Sequence, residues 1–200
     1  MTTRPSSGPL RAGFRRLRSL APAFVLGLGA TCFAASIDGD HLLPDGTFER
    51  PDSSGEWPRD WPKGRNVSWE TEAGNWFLRL TSTTPGATVS LFREVPLPTG
   101  TQAIELSFRR RVSGLVVGDQ PWFDARVVLN FKDATGKKTP AARMPYTQRD
   151  TVEWQTVVHR MRVPEGAVAI EFMPSLFRVK AGVFDLDDVV MKAIDPALVP

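Results

Sequence analysis

Two hundred residues with a single cysteine fit one domain with a core of ordinary size and supply no disulfide framework to staple it. The formal net charge is +3, but five arginines and no acid fall within residues 1–36, so the remainder carries about −2. The basic balance of the whole chain therefore gives no support to a nucleic-acid partner.

The first segment combines Arg4, Arg11, Arg15, Arg16 and Arg18 with an apolar stretch over residues 20–35 that ends in small residues. This is the layout of a secretory signal peptide, and its apolar part is short for a membrane span. Cleavage is expected near residues 34–36, leaving residues 37–200 as one domain that is secreted or held in the periplasm or cell envelope. Arg15-Arg16 makes a poor twin-arginine signal, because the residues after the pair do not fit that pattern. Lipid attachment at Cys32 is the lesser reading, because Gly29-Ala30-Thr31 lacks the usual leucine. Asn66-Val67-Ser68 is a glycosylation sequon only in a eukaryotic source.

Beyond residue 36 no segment sustains a helical period, while short β-rich runs recur between turn clusters. Strands are predicted over residues 46–49, 67–70, 76–82, 87–94, 102–112, 122–132, 153–163, 167–172 and 183–193. Pro85-Gly86, Pro98-Thr99-Gly100, Asp133-Ala134-Thr135-Gly136 and Pro164-Glu165-Gly166 punctuate them. The expected fold is all-β, a two-sheet antiparallel β-sandwich of the jelly-roll type. The longer irregular stretches, residues 50–65, 113–121 and 139–151, are where a site is most easily built.

Alternation assigns faces. In the run from Trp122, residues Phe123, Ala125, Val127, Leu129 and Phe131 point inward, and Trp122, Asp124, Arg126, Val128 and Asn130 point outward. In the run from Gln102, residues Ile104, Leu106 and Phe108 point inward, and Glu105, Ser107, Arg109 and Arg111 outward. If these two strands are neighbours, they form one polar sheet surface with an aromatic rim. A sugar ring offers an apolar C–H face that stacks on an indole and hydroxyls that pair with guanidinium, carboxylate or amide groups. The plain alternative is a surface ion pair between Asp124 and Arg126, with Trp122 capping an edge. Trp154 and Trp76 are read as core. Of Trp57 and Trp61, in a proline-stiffened loop, one plugs the sandwich end and Trp57 is chosen for ligand contact. Tyr146 is an open loop candidate, and alternation does not place Trp69.

Acids cluster at both ends of the domain. Glu49 on one side and Asp187 with Asp188 on the other suit calcium if they converge, although alternation separates Asp185 and Asp187 from Asp188. For glycoside hydrolysis, Asp185 with Asp187, or Glu105, Asp124 and Glu171 across strands, are the available carboxyl sets. The closely spaced Glu-x-Asp-x-Glu pattern of jelly-roll glucanases is absent, and no Gly-x-Ser-x-Gly elbow occurs. Two histidines are too few for an ordinary zinc cluster. His159 and Tyr146 are candidate lyase bases, with no further motif around them.

Leu43-Pro44-Asp45-Gly46-Thr47-Phe48-Glu49, Trp61-Pro62, Trp76-Phe77-Leu78-Arg79-Leu80, Trp154, Val163-Pro164-Glu165-Gly166-Ala167 and Phe184-Asp185-Leu186-Asp187-Asp188-Val189 occur in that order. The pattern resembles the carbohydrate-binding modules that accompany bacterial cellulases and xylanases, over residues 42–193. The resemblance implies a galactose-binding-like jelly roll that holds polysaccharide or oligosaccharide without catalysis, near glycan-degrading enzymes. It also implies a structural calcium ligated through Glu49 and Asp188, and a ligand-facing sheet carrying Trp122 and Arg126. The expected binding set is Trp122, Asp124, Arg126, Asn130, Arg109, Arg111 and Trp57, and a β-linked plant or algal polysaccharide is the expected class. Such modules usually accompany an enzyme, and no catalytic domain is expected within residues 37–200. A cell-envelope structural or protein-interaction module is the alternative, and a small jelly-roll hydrolase or lyase the lesser one.

Overall fold

Alternating apolar residues along each β-rich run produce strands with one face to bury, and ten of them pair into two five-stranded sheets in a computed structural model that describes residues 41–141, 149–151 and 153–200. The strands are β1 Val67–Glu72, β2 Asn75–Thr81, β3 Val89–Ser90, β4 Arg93–Pro96 and β5 Ala103–Val116. They continue with β6 Ala125–Asp133, β7 Lys138–Pro140, β8 Gln155–Arg162, β9 Ala167–Leu176 and β10 Ala181–Ala193. The first sheet has the order β1-β2-β10-β5-β8 and the second β3-β9-β6-β7, with β4 also on β9. Every pairing among them is antiparallel. This is the expected two-sheet sandwich.

Between the sheets lie Leu78, Leu80, Ile104, Leu106, Phe108 and Leu186 from one side and Val127, Leu129, Phe131, Ile170 and Phe172 from the other. Trp61 closes this core against Phe48 and Phe172, at ring-centroid distances of 4.8 and 6.3 Å. Both indoles of the proline-stiffened loop are buried, because their N–H groups find carbonyls: Trp57 Nε1 donates to Trp61 O (2.9 Å) and Trp61 Nε1 to Asp45 O (2.7 Å). Trp57, only 7% exposed, is thus a core residue and not the expected ligand contact.

Several boundaries differ from the sequence reading, three of them for reasons visible in the local structure. Residues 46–49 make no strand: Asp45 and Phe48 hold left-handed φ of 56° and 58°, which bends the chain and drops Phe48 into the core. Residues 87–94 split into β3 and β4. The segment 138–140 forms a short return strand where a loop was expected, since the turn at residues 133–136 closes a hairpin onto β6.

Candidate functional site

The expected neighbourhood of β5 and β6 is not formed: β5 lies in the first sheet and β6 in the second. Their polar faces therefore point away from each other across the sandwich. Arg109 and Arg111 are separated from Trp122, Asp124, Arg126 and Asn130, and Glu105 cannot meet Asp124 or Glu171.

The outer face of the first sheet is knit together. Asp185, 1% exposed, is forked by Arg79 (Nε to Oδ1 2.7 Å, Nη2 to Oδ2 2.9 Å) and by Arg111 (Nε to Oδ2 3.0 Å). Arg111 also reaches Glu72 at 2.9 Å, and Trp154 Nε1 donates to the same carboxylate at 3.3 Å. Arg109 and Arg111 stack on the Trp154 ring at 4.9 and 4.8 Å, and Phe77 meets that ring edge-on at 5.4 Å. Trp154 is thus the cover of this face, and not the core residue that the sequence suggested. The carboxylates considered as a hydrolytic pair are spent here: Asp187 is buried, accepts from Asn75 Nδ2 (2.9 Å) and the Asp188 amide (2.7 Å), and lies 3.5 Å from Arg109. Burial holds the Asp187 carboxyl above the usual carboxylate range, against the Asn75 hydrogen bond.

Glu49 and Asp188, the expected calcium ligands, each have a protein partner. Glu49 Oε1 accepts from the Trp76 amide at 2.9 Å, whereas Asp188 pairs with Arg109 at 3.4 Å. Among the described residues no group of three or more His, Cys, Asp or Glu side chains is arranged to hold a metal ion.

The outer face of the second sheet is different in kind. Register places Arg126, Val128, Asn130 and Lys132 of β6 opposite Ser175, Met173, Glu171 and Ala169 of β9. At one end Glu171, 2% exposed, accepts from Lys138 Nζ (2.7 Å) and Asn130 Nδ2 (3.2 Å). Lys132 bridges it to Glu94, at 3.8 Å from Glu171 and 2.5 Å from Glu94. Half-buried Val128 and Met173 form an apolar strip in the middle. At the other end Asp124 is fully buried and accepts from Arg126 Nε at 2.8 Å, with Arg149 Nη1 at 3.4 Å. Burial raises the Asp124 carboxyl, partly offset by Arg126. Arg126 also donates to the Trp122 carbonyl, which fixes the turn before β6.

Trp122 stands 53% exposed at that end, edge-on to Phe123 at 6.0 Å, which is in turn edge-on to Phe177 at 5.5 Å. An exposed indole braced by two rings is a stacking platform that loses little entropy on contact. From Arg126 to Lys132 the face runs six residues, about 20 Å of strand. Of the expected binding set, Trp122, Asp124, Arg126 and Asn130 come together here. Asp124 serves as a buried brace for Arg126. Glu171 was named only as a candidate hydrolytic carboxyl, and Met173, Lys132, Lys138, Glu94 and Phe177 were missed. Alternation along β9 gives Glu171 and Met173 outward, and the turn at residues 133–136 signals the return strand that delivers Lys138. Tyr146 lies outside the described residues.

A cleft of about 550 Å³ is lined by residues 97–102 and 163–168, but no aromatic ring lines it and Glu165 is its one charged residue.

No family model matches the sequence, and no curated protein matches it. Solved structures do. A Family 16 carbohydrate-binding module aligns with a TM-score of 0.52 at 16% identity, over 76% of this chain and 99% of its own. The enzymatically active domain of bacteriophage CBA120 tailspike protein 4 aligns with a TM-score of 0.58 at 14% identity, over 78% of this chain and 22% of its own. An arabinose-bound GH51 α-L-arabinofuranosidase aligns at 0.51 and 12% identity, over 76% of this chain and 26% of its own. The chain thus spans about a quarter of either of these two longer proteins and nearly the whole of the module. Its fold is the jelly-roll β-sandwich of carbohydrate-binding modules.

Proposed function

We propose that the protein binds polysaccharide or oligosaccharide, without chemistry, on the outer face of the second sheet. The observation that carries this reading is the Trp122 indole, exposed and braced at the end of a strip that passes through Val128 and Met173 to the polar groups of Asn130, Lys132 and Lys138. Indole and strip match the apolar faces of successive sugar rings, and the polar end matches their hydroxyls. The buried carboxylates on this face, Asp124 and Glu171, are neutralised by Arg126 and by Lys138, which suits holding a chain rather than cleaving it. The similar module, named for carbohydrate binding, supports the same reading. Export through the leader of residues 1–36 would place the protein where plant or algal β-glycans and the enzymes that degrade them meet. Any calcium held through Glu49 and Asp188 would be structural, because Asp188 lies on the first sheet and the proposed face on the second.

The test is native electrophoresis of the protein through gels containing β-glucan, xylan, mannan or no polymer, with an assay for released reducing ends. Selective retardation without reducing ends is the expected result. Release of reducing ends would replace binding with hydrolysis, and no retardation on a broad panel would favour an envelope interaction domain.

A further inference from the structure

At the Trp122 end of the proposed face, the charges differ in their access to solvent. Asp124, two residues after Trp122, is 0% exposed and committed to Arg126, so it cannot reach a ligand. Two cations near it reach solvent. Arg149 keeps its side chain 58% exposed while donating to Pro121 O (3.2 Å) and approaching Asp124. Arg178, also exposed, lies over the Phe123 ring at 4.7 Å, and its charge, after the Lys180 hydrogen bond, helps hold the Asp119 carboxyl below its ordinary value.

The position of Arg178 is enforced. Its backbone is left-handed at φ 51°, which a non-glycine residue adopts only at a cost, and its carbonyl packs so closely on Gly118 that an added Cβ there would lie 2.2 Å away. The other acids nearby have partners of their own. Asp119 pairs with Lys180 at 2.8 Å, and Asp150 accepts from the Leu115 amide at 2.8 Å. Two guanidiniums thus reach solvent at this end of the face, beside the exposed Asp119–Lys180 pair, and their planar forks match the two oxygens of a carboxylate or sulfate better than a lone hydroxyl.

We infer that the preferred glycan is acidic, with a carboxylate or sulfate seated against Arg149 and Arg178 while its ring stacks on Trp122. The inference rests on the carbohydrate-binding reading and narrows it to anionic chains. Both anions share the recognition chemistry, and the ligand panel separates them.

The test is titration calorimetry of the protein with a uronic-acid oligosaccharide, a sulfated galactan oligosaccharide, a neutral xylan or β-glucan oligosaccharide and a short single-stranded DNA, each at low and high salt. Arg178→Gln and Arg149→Gln are run beside wild type, with melting temperatures to verify folding. At least one acidic sugar is expected to bind about tenfold more tightly than the neutral ones at low salt, to lose that margin at high salt, and to weaken about tenfold in the double variant. The uronate and sulfate arms then say which group is read. Equal binding of neutral and acidic sugars, indifferent to both arginines, would overturn the acidic preference and leave sugar binding intact. No binding to any sugar would sink both readings. DNA bound as tightly as the acidic sugars would show an unspecific polyanion patch and overturn the inference.

Discussion

Asp185 and Asp187, two positions apart on β10, show how neighbouring buried acids come to have different energetics. Asp185 sits between two guanidiniums that converge from β2 and β5. Removing it strands both arginines, so Asp185→Ala is expected to cost about 3 kcal/mol in urea unfolding. Asp187 has weaker support, and burial raises its carboxyl. Such a group binds protons more tightly in the folded chain than in the unfolded one. It therefore subtracts stability as pH rises from its unfolded value of about 4 through its higher folded value. Asp187→Asn removes that term. The melting temperature of the variant relative to wild type should thus climb between pH 4 and pH 7, and a pH-independent difference would contradict the raised carboxyl. The outward placement of Asp185 and Asp187 was legible from alternation. Their commitment to arginines was not, because it depends on which strands become neighbours.

The end of β10 sets how the segment around Gly46 packs. Alternation buries Phe184 and Leu186 and predicts Asp188 inward as well. Instead the register shifts between Asp187 and Val190, and Asp188 takes a left-handed φ of 48°. This β-bulge changes parity, so Val189 and Met191 fill the core and Asp188 turns out toward Arg109. The bulge lies where Gly46 packs: Val189 N donates to Gly46 O at 2.8 Å, and a Cβ on Gly46 would sit 1.8 Å from Val189 O. Gly46→Ala is therefore expected to lower stability by about 2 kcal/mol in denaturant unfolding, through forced separation of the segment from β10. A neutral effect would mean the contact is loose. A bulge leaves no compositional mark in Asp187-Asp188-Val189-Val190, which is why strict alternation misplaced one acid.

The nine runs of β-rich sequence and their turns made the sandwich legible, and the outward set on β6 made half of the proposed face legible with it. Sheet membership was not: β5 and β6 are successive in sequence, yet one joins each sheet, so the arginines of β5 serve the opposite surface. The two faces now make opposite demands on a tryptophan. Trp154 is enclosed by Arg109, Arg111, Phe77 and Glu72 and should matter for stability, whereas Trp122 is open and should matter for ligand. Trp154→Ala is expected to cost about 2 kcal/mol on chemical unfolding while leaving the protein able to bind.

Comparing polysaccharide affinity of wild type, Trp122→Ala and Trp154→Ala under conditions where all three are folded decides between the two faces. Retardation lost in Trp122→Ala and retained in Trp154→Ala is the predicted result. Retardation retained in Trp122→Ala and lost in Trp154→Ala would place the ligand on the first sheet and contradict the site assigned to the second.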